Sequence, residues 1–196
     1  MRQRVMTATT SSMLHAFRRF GRDRRGVSAV EFAFIAPVMI GLYLGCAEIS
    51  DGVAVDRKVS LTAGALANLA SQATTISATE MTNILDASSA IIAPYNASKL
   101  TLTVTCLSID ANKNANVKWS VTRNGTVKSG IMTIPAALTV ASSYPINLIY
   151  SEVTYAYTPI VGYTISGTLT LSDHMYMGPR ITPPVYNDGS NNHPCA

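Results

Sequence analysis

The sequence predicts an α+β protein in which a long N-terminal helix packs on an antiparallel β-sheet. Three observations predict it. An apolar run at Val27–Ile49 passes into a helical stripe that lasts to about residue 76. From Lys99 onward, β-branched and apolar residues alternate with period two. An Asn124-Gly125 pair, a strong two-residue hairpin signal, lies among those alternating segments.

Residues 1–26 form a basic leader. They hold seven Arg against the single acid Asp23, a net +6, whereas residues 27–196 hold eight Lys/Arg against ten Asp/Glu, a net −2. The sequence pI of 9.1 therefore belongs to the leader. The rest of the chain is slightly acidic and lacks a basic stripe, which excludes nucleic acid as the expected partner. Charged residues make up only 13% of the chain, against about a quarter in an average soluble domain.

Residues 27–49 are the expected membrane span. Val27–Ile49 is 23 residues long, and as a helix would be about 34 Å long, enough to cross a hydrocarbon core of about 30 Å. Arg18, Arg19, Arg22, Arg24 and Arg25 precede it, and Glu48, Asp51 and Asp56 follow with Arg57 and Lys58. The positive flank stays in the cytoplasm, so the N-terminus is expected inside and the C-terminal body outside. The run is too long for the apolar core of a secretory signal, and no A-x-A-like site follows it. Gly45-Cys46 follows Tyr43-Leu44, a poor match to a lipoprotein box. Cys46 reads instead as a small apolar residue facing lipid or another helix.

Three features inside the span carry expectations. Glu31 is an acid at membrane depth, and such acids are usually functional or paired. Pro37 removes one helical hydrogen bond and favours a kink. Gly41 and Gly45 form G-x-x-x-G, which allows close approach of a second helix.

Residues 50–76 are expected to continue the helix outward, with Val55, Val59, Thr62, Leu66, Leu69, Ala73 and Ile76 on its packing face. The exported body spans 77–181. A second helix starts near Thr79-Glu80 and ends near Ala93-Pro94. In the first expected strand Leu100, Leu102, Val104 and Cys106 alternate with Thr101, Thr103 and Thr105. In the next, Val117, Trp119 and Val121 alternate with Lys118, Ser120 and Thr122. Asn124-Gly125 should turn the chain into a partner strand from Thr126. Further strands are expected at 146–157 and 163–172, and 182–196 reads as a polar tail rich in Pro, Asn and Gly.

Cys106 and Cys195 both lie in the exported body, where disulfides persist. A bond between them would tie down the tail; the alternative buries Cys106 in its strand and leaves Cys195 to pair elsewhere. The histidines are His15, His174 and His193. Asp173-His174 and His193-x-Cys195 each lack a third partner at ligand spacing. No phosphate loop, G-x-S-x-G or C-x-x-C occurs. The expectation is a non-enzymatic chain that uses no cofactor and no metal.

The junction Arg24-Arg25-Gly26-Val27-Ser28-Ala29-Val30-Glu31 resembles the prepilin signal of the type IV filament superfamily. Its extension through Phe32-Ala33-Phe34-Ile35-Ala36-Pro37 resembles the opening of TadE-like proteins, the minor pilins or pseudopilins of the tight-adherence (Flp) pilus system. Glu152–Pro159, Leu169–Ser172 and Met175–Arg180 are similar to the family's C-terminal part, while 60–145 shows no match. Val27 departs from the Phe that opens typical type IV major pilins.

The resemblance implies a pilin-like fold and cleavage after Gly26 by a membrane-embedded prepilin peptidase, leaving Val27 as the new N-terminus. It implies as partners other pilins or pseudopilins and an inner-membrane assembly platform, besides membrane lipid. The freed α-amine, mostly protonated at neutral pH, would face Glu31 of a neighbour; the alternative that position alone leaves open is that Glu31 reaches back to the headgroup region and pairs with nothing. At 4 Å and an effective dielectric near 20 that attraction is ~4 kcal/mol before desolvation is subtracted. The expected location is the bacterial inner membrane, with the subunit packed into a pilus or into the complex that initiates one. A bacterial host makes the sequons Asn96-Ala97-Ser98 and Asn124-Gly125-Thr126 a loop and a turn without sugar. The competing expectation is an uncleaved single-pass envelope protein whose outer body binds a ligand or scaffolds a complex.

Overall fold

The computed structural model describes residues 25–140, 143–159 and 167–195, with no side-chain description for Arg25. The leader up to Arg24, His15 included, and the 163–166 portion of an expected strand lie outside the described residues. The chain divides into two compact units, one ending at Ala47 and one beginning at Glu48.

Helix α1 (Arg25–Gln72) runs through both units and contains Pro37. From Val27 through Phe32, Ile35 and Met39 to Tyr43 its large apolar side chains are exposed. From Val55 onward one stripe is buried: Val55, Val59, Thr62, Ala63, Leu66, Ala67 and Ala70. Leu69, expected on this stripe, is 36% exposed. A helix of 3.6 residues per turn places position 70 about 40° from Leu66 and position 69 about 60° away on the other side. The buried stripe follows Ala70.

The helix stops at Gln72, short of the expected 76. Thr74, Thr75 and Ile76 are β-branched, which weakens helix and favours strand. Strand β1 (Thr75–Ser77) pairs in parallel with β7 (Val185–Asn187). Ser77 is also the N-cap of α2 (Ala78–Ser89). Its hydroxyl accepts the Glu80 N–H while the Glu80 carboxylate accepts the Ser77 N–H, a capping box. A 3₁₀ turn at Ala90–Ile92 follows.

The main sheet is antiparallel and contains β2 (Leu100–Ile109), β3 (Ala115–Arg123), β4 (Ile131–Met132), β5 (Ile146–Tyr157) and β6 (Leu169–Met177), in the order β4-β3-β2-β5-β6. One face carries Leu100, Leu102, Val104, Cys106, Val153 and Tyr155 into the cluster that holds the α1 stripe, Met81, Leu85 and Ile92. Each large aliphatic side chain buried in this way stabilises the fold by about 1.5–3 kcal/mol. Ser151 ties the layers together, its hydroxyl donating to the Ala63 carbonyl of α1 at 2.7 Å.

Four strand expectations are corrected. A register shift between Cys106 and Leu107 sets Trp119 opposite Cys106 and Val117 opposite Leu107. Adjacent residues of a strand point to opposite faces, so this bulge removes Val117 from the face of Trp119. Leu107, Ile109 and Ala115 are buried outside the main cluster.

Asn124-Gly125 does not make a two-residue hairpin. Residues 124–130 cross the outer face, Lys128 N–H donating to Ser120 Oγ and Lys128 Nζ pairing with Glu152 two strands away at 2.6 Å. Only Ile131 and Met132 then pair with Asn116 and Ala115. Glycine is needed at 125 for closeness: a Cβ would lie 2.6 Å from Thr101 Cγ2 and 2.8 Å from Thr122 Oγ1.

The strand expected at 163–172 is found at Leu169–Met177, paired with β5 from Tyr157↔Leu169 to Ile149↔Met177. Residues 182–195, read as a polar tail, hold strands that were not expected there. They carry β7 and β8 (Asn192–His193), which with β1 form a second sheet.

Candidate assembly surface

The sequence-predicted residues of the apolar segment share α1. Gly26 and Val27 sit in its first described turn, Glu31 one turn further, all exposed. Gly26 is helical here rather than extended, and a Cβ added to it would touch nothing within 4 Å. Pro37 lies within the helix; lacking an N–H, it leaves the Ala33 carbonyl without its usual helical donor. Gly41 and Gly45 lie one turn apart on one face, and the helix runs on to Gln72. This is the one helix among the described residues long and apolar enough to cross a membrane.

The start of the second unit holds a feature with no local sequence signal. Asp51 on α1 accepts hydrogen bonds from two tyrosine hydroxyls, Tyr95 at 2.5 Å and Tyr157 at 2.9 Å. The bond to Asp51 pushes the Tyr95 phenol up to about 12, with desolvation adding to it. Burial raises the Tyr157 phenol, also to about 12, and the bond to Asp51 reinforces the rise. Both hydroxyls thus stay protonated donors at neutral pH. Tyr95 further packs edge-on to Tyr155 with ring centroids 6.5 Å apart. Two turns along α1, Lys58 Nζ donates to the carbonyls of Ile91 at 3.2 Å and Ala93 at 2.7 Å. These carbonyls end the helical segment after α2, where a cation is favourable. Asp51 and Lys58 together fix α1 to β5 and to the chain leaving α2.

Further along, α1 and β6 flank an open groove of about 510 Å³. Leu61, Gly64, Ala65, Met175, Met177 and Arg180 are among the residues that line it. Arg180 donates to Asn68 Oδ1 at 2.6 Å, and Ser71 Oγ donates to the Asn68 carbonyl at 2.8 Å while lying 3.2 Å from Met177 Sδ. β6 is an edge strand, and the His174 N–H donates to Asp173 Oδ1 at 2.8 Å instead of to another strand. A side-chain carboxylate that occupies an edge donor protects the edge against strand addition.

Cys106 and Cys195 are joined by a disulfide, with Cα atoms 5.7 Å apart. Cys195 is therefore not available to His193 as a metal ligand or nucleophile. His193 instead meets Asp188 at 3.0 Å, and the backbone N–H groups of Ser190 and Asn191 also donate to that carboxylate. The His193 bond and these N–H donors hold the Asp188 carboxyl down, to about 2. Among the described residues no group of three or more His, Cys, Asp or Glu is placed to hold a metal ion. Neither the protein-family models nor the curated proteins nor the solved structures contain a match to this chain.

Proposed function

We propose that the chain is a minor pilin or pseudopilin of a tight-adherence pilus. It is inserted in the bacterial inner membrane with its N-terminus cytoplasmic, and a prepilin peptidase cuts it after Gly26. The observation that carries this reading is the division of α1. Its first half exposes apolar side chains on every side, with Glu31 as an acid near the start, while its second half is the main packing helix of a folded body. A helix so divided serves lipid before assembly and neighbouring helices after it.

In this reading the role is mechanical and non-catalytic. The apolar half holds the subunit in the membrane until an inner-membrane platform extracts it. The new amine at Val27 lies about 6 Å along the helix from Glu31. The two groups compensate one another between adjacent subunits, which lowers the cost of a carboxylate away from water. Pro37 and the Gly41/Gly45 face shape the helix contact.

The test is Glu31→Ala in cells carrying the pilus machinery. The variant is expected in the membrane fraction at the wild-type level and absent from sheared pili and from crosslinks to other pilins. Normal incorporation of Glu31→Ala would remove the proposed role of the acid. An uncut chain that binds its partners through the body alone would point to the competing envelope-scaffold function.

A further inference from the structure

We propose that the Cys106–Cys195 disulfide is a redox-conditional clasp. The segment 178–195 closes over the end of α1 and Trp119 only after a thiol–disulfide oxidant has joined the two cysteines. The claim concerns the isolated fold and does not rest on the pilus reading.

The segment is held mostly by backbone and polar contacts. The Arg180 N–H donates to the Ser71 carbonyl at 2.9 Å, and the Val185 N–H to the Thr74 carbonyl at 3.1 Å. The Trp119 indole N–H donates to the Pro184 carbonyl at 3.2 Å, and the Tyr186 ring lies 5.7 Å from Trp119. Within 178–195 only Pro184 and Cys195 are buried. So little buried apolar surface is a poor match for the entropy of ordering this length of chain. The covalent tie to Cys106, in the central strand β2, supplies the missing constraint.

Both cysteines are fully buried in the closed form, so an attacking thiolate cannot reach either sulfur without local opening. Oxidation therefore acts on the open segment and closure follows. The Cys195 thiolate attacks a disulfide of the oxidant, forming a mixed disulfide and releasing one oxidant thiolate. The Cys106 thiolate then attacks Cys195 in that mixed disulfide and releases the second. The two cysteines give up two protons and two electrons, and the oxidant's disulfide leaves as a dithiol. The clasp thus makes the partner a thiol–disulfide oxidoreductase of an oxidising compartment, and it makes Arg180, which lines the α1–β6 groove, dependent on that partner.

The experiment uses the full chain in phospholipid nanodiscs, oxidised or reduced with dithiothreitol, together with Cys195→Ser. Amide hydrogen exchange and the emission of Trp119, the sole tryptophan, are the readouts. In the reduced and Cys195→Ser forms, the amides of Val185–Asn187 should exchange at least about tenfold faster. The Trp119 emission should shift red, while the central amides of β2 and β5 stay protected. Unchanged exchange at Val185–Asn187 in both forms would overturn the proposal. So would loss of protection throughout β2 and β5, because the bond would then be a staple of the whole fold.

Discussion

Asp51 is the residue whose environment departs furthest from what its neighbours in sequence announce. Its two donors are 44 and 106 positions away, so no local pattern reveals it. A hydrogen bond to a charged group contributes about 1.5–3 kcal/mol, less where solvent screens it. Tyr95→Phe should therefore cost about 1–2 kcal/mol in chemical denaturation. Tyr95 and Tyr157 both have folded values of about 12, above the ordinary ~10 of a phenol. The stability they lend is complete below pH ~10 and is lost as pH rises through the folded value. Burial also raises the phenols of Tyr150, Tyr155 and Tyr176, so a pH titration of near-ultraviolet phenolate absorbance should show several late-titrating tyrosines, of which Tyr95 and Tyr157 should move earlier in Asp51→Ala.

Asp188 has the opposite sign. Its folded value of about 2 lies below the ordinary ~3.9. Its contribution is present above that ordinary value and disappears as pH falls through the folded one. Amide exchange at Ser190 and Asn191, which donate to this carboxylate, should accelerate relative to β2 between pH ~4 and ~2, after correction for intrinsic rates.

At the scale of elements, the two halves of α1 differ, and the half from Val55 onward does the packing. Leu66 is fully buried in the cluster shared by α1 and the sheet. Leu66→Ala should destabilise the body by about 2–5 kcal/mol, read by thermal or denaturant unfolding. A much smaller loss would mean that the helix is not seated on the sheet.

The elements differ in how legible they were. β5 was readable to its bounds, Ile146–Tyr157, because a long β-branched and aromatic run is unambiguous. The start of α2 was nearly so: Thr79-Glu80 marked it, two residues inside the capping box that Ser77 and Glu80 form. The stretch after Asn124 was not. The dipeptide that signals a turn serves close packing on Thr101 and Thr122, a tertiary demand. The strands of the C-terminal segment were hidden by its polar composition, because its order comes from Cys106, Trp119 and β1, all remote in sequence.

At the largest scale, the described residues are a long N-terminal helix packed, from Val55 onward, on an antiparallel sheet, in an α+β arrangement. The apolar half of α1, Glu31, Pro37 and the glycine pair were visible from sequence because a long apolar run is a composition signal that needs no tertiary contact. The groove between α1 and β6 was invisible, since it joins Gly64 and Leu61 to Met175 and Arg180 across more than half of the chain. The proposed function rests on conversion of this chain from a lipid-held precursor into a subunit with a free amine beside Glu31. The most direct measurement is N-terminal sequencing of the membrane-bound protein from cells that also express the prepilin peptidase. The account predicts a chain beginning at Val27. A chain still beginning at Met1, with the peptidase active on another prepilin in the same cells, would contradict it.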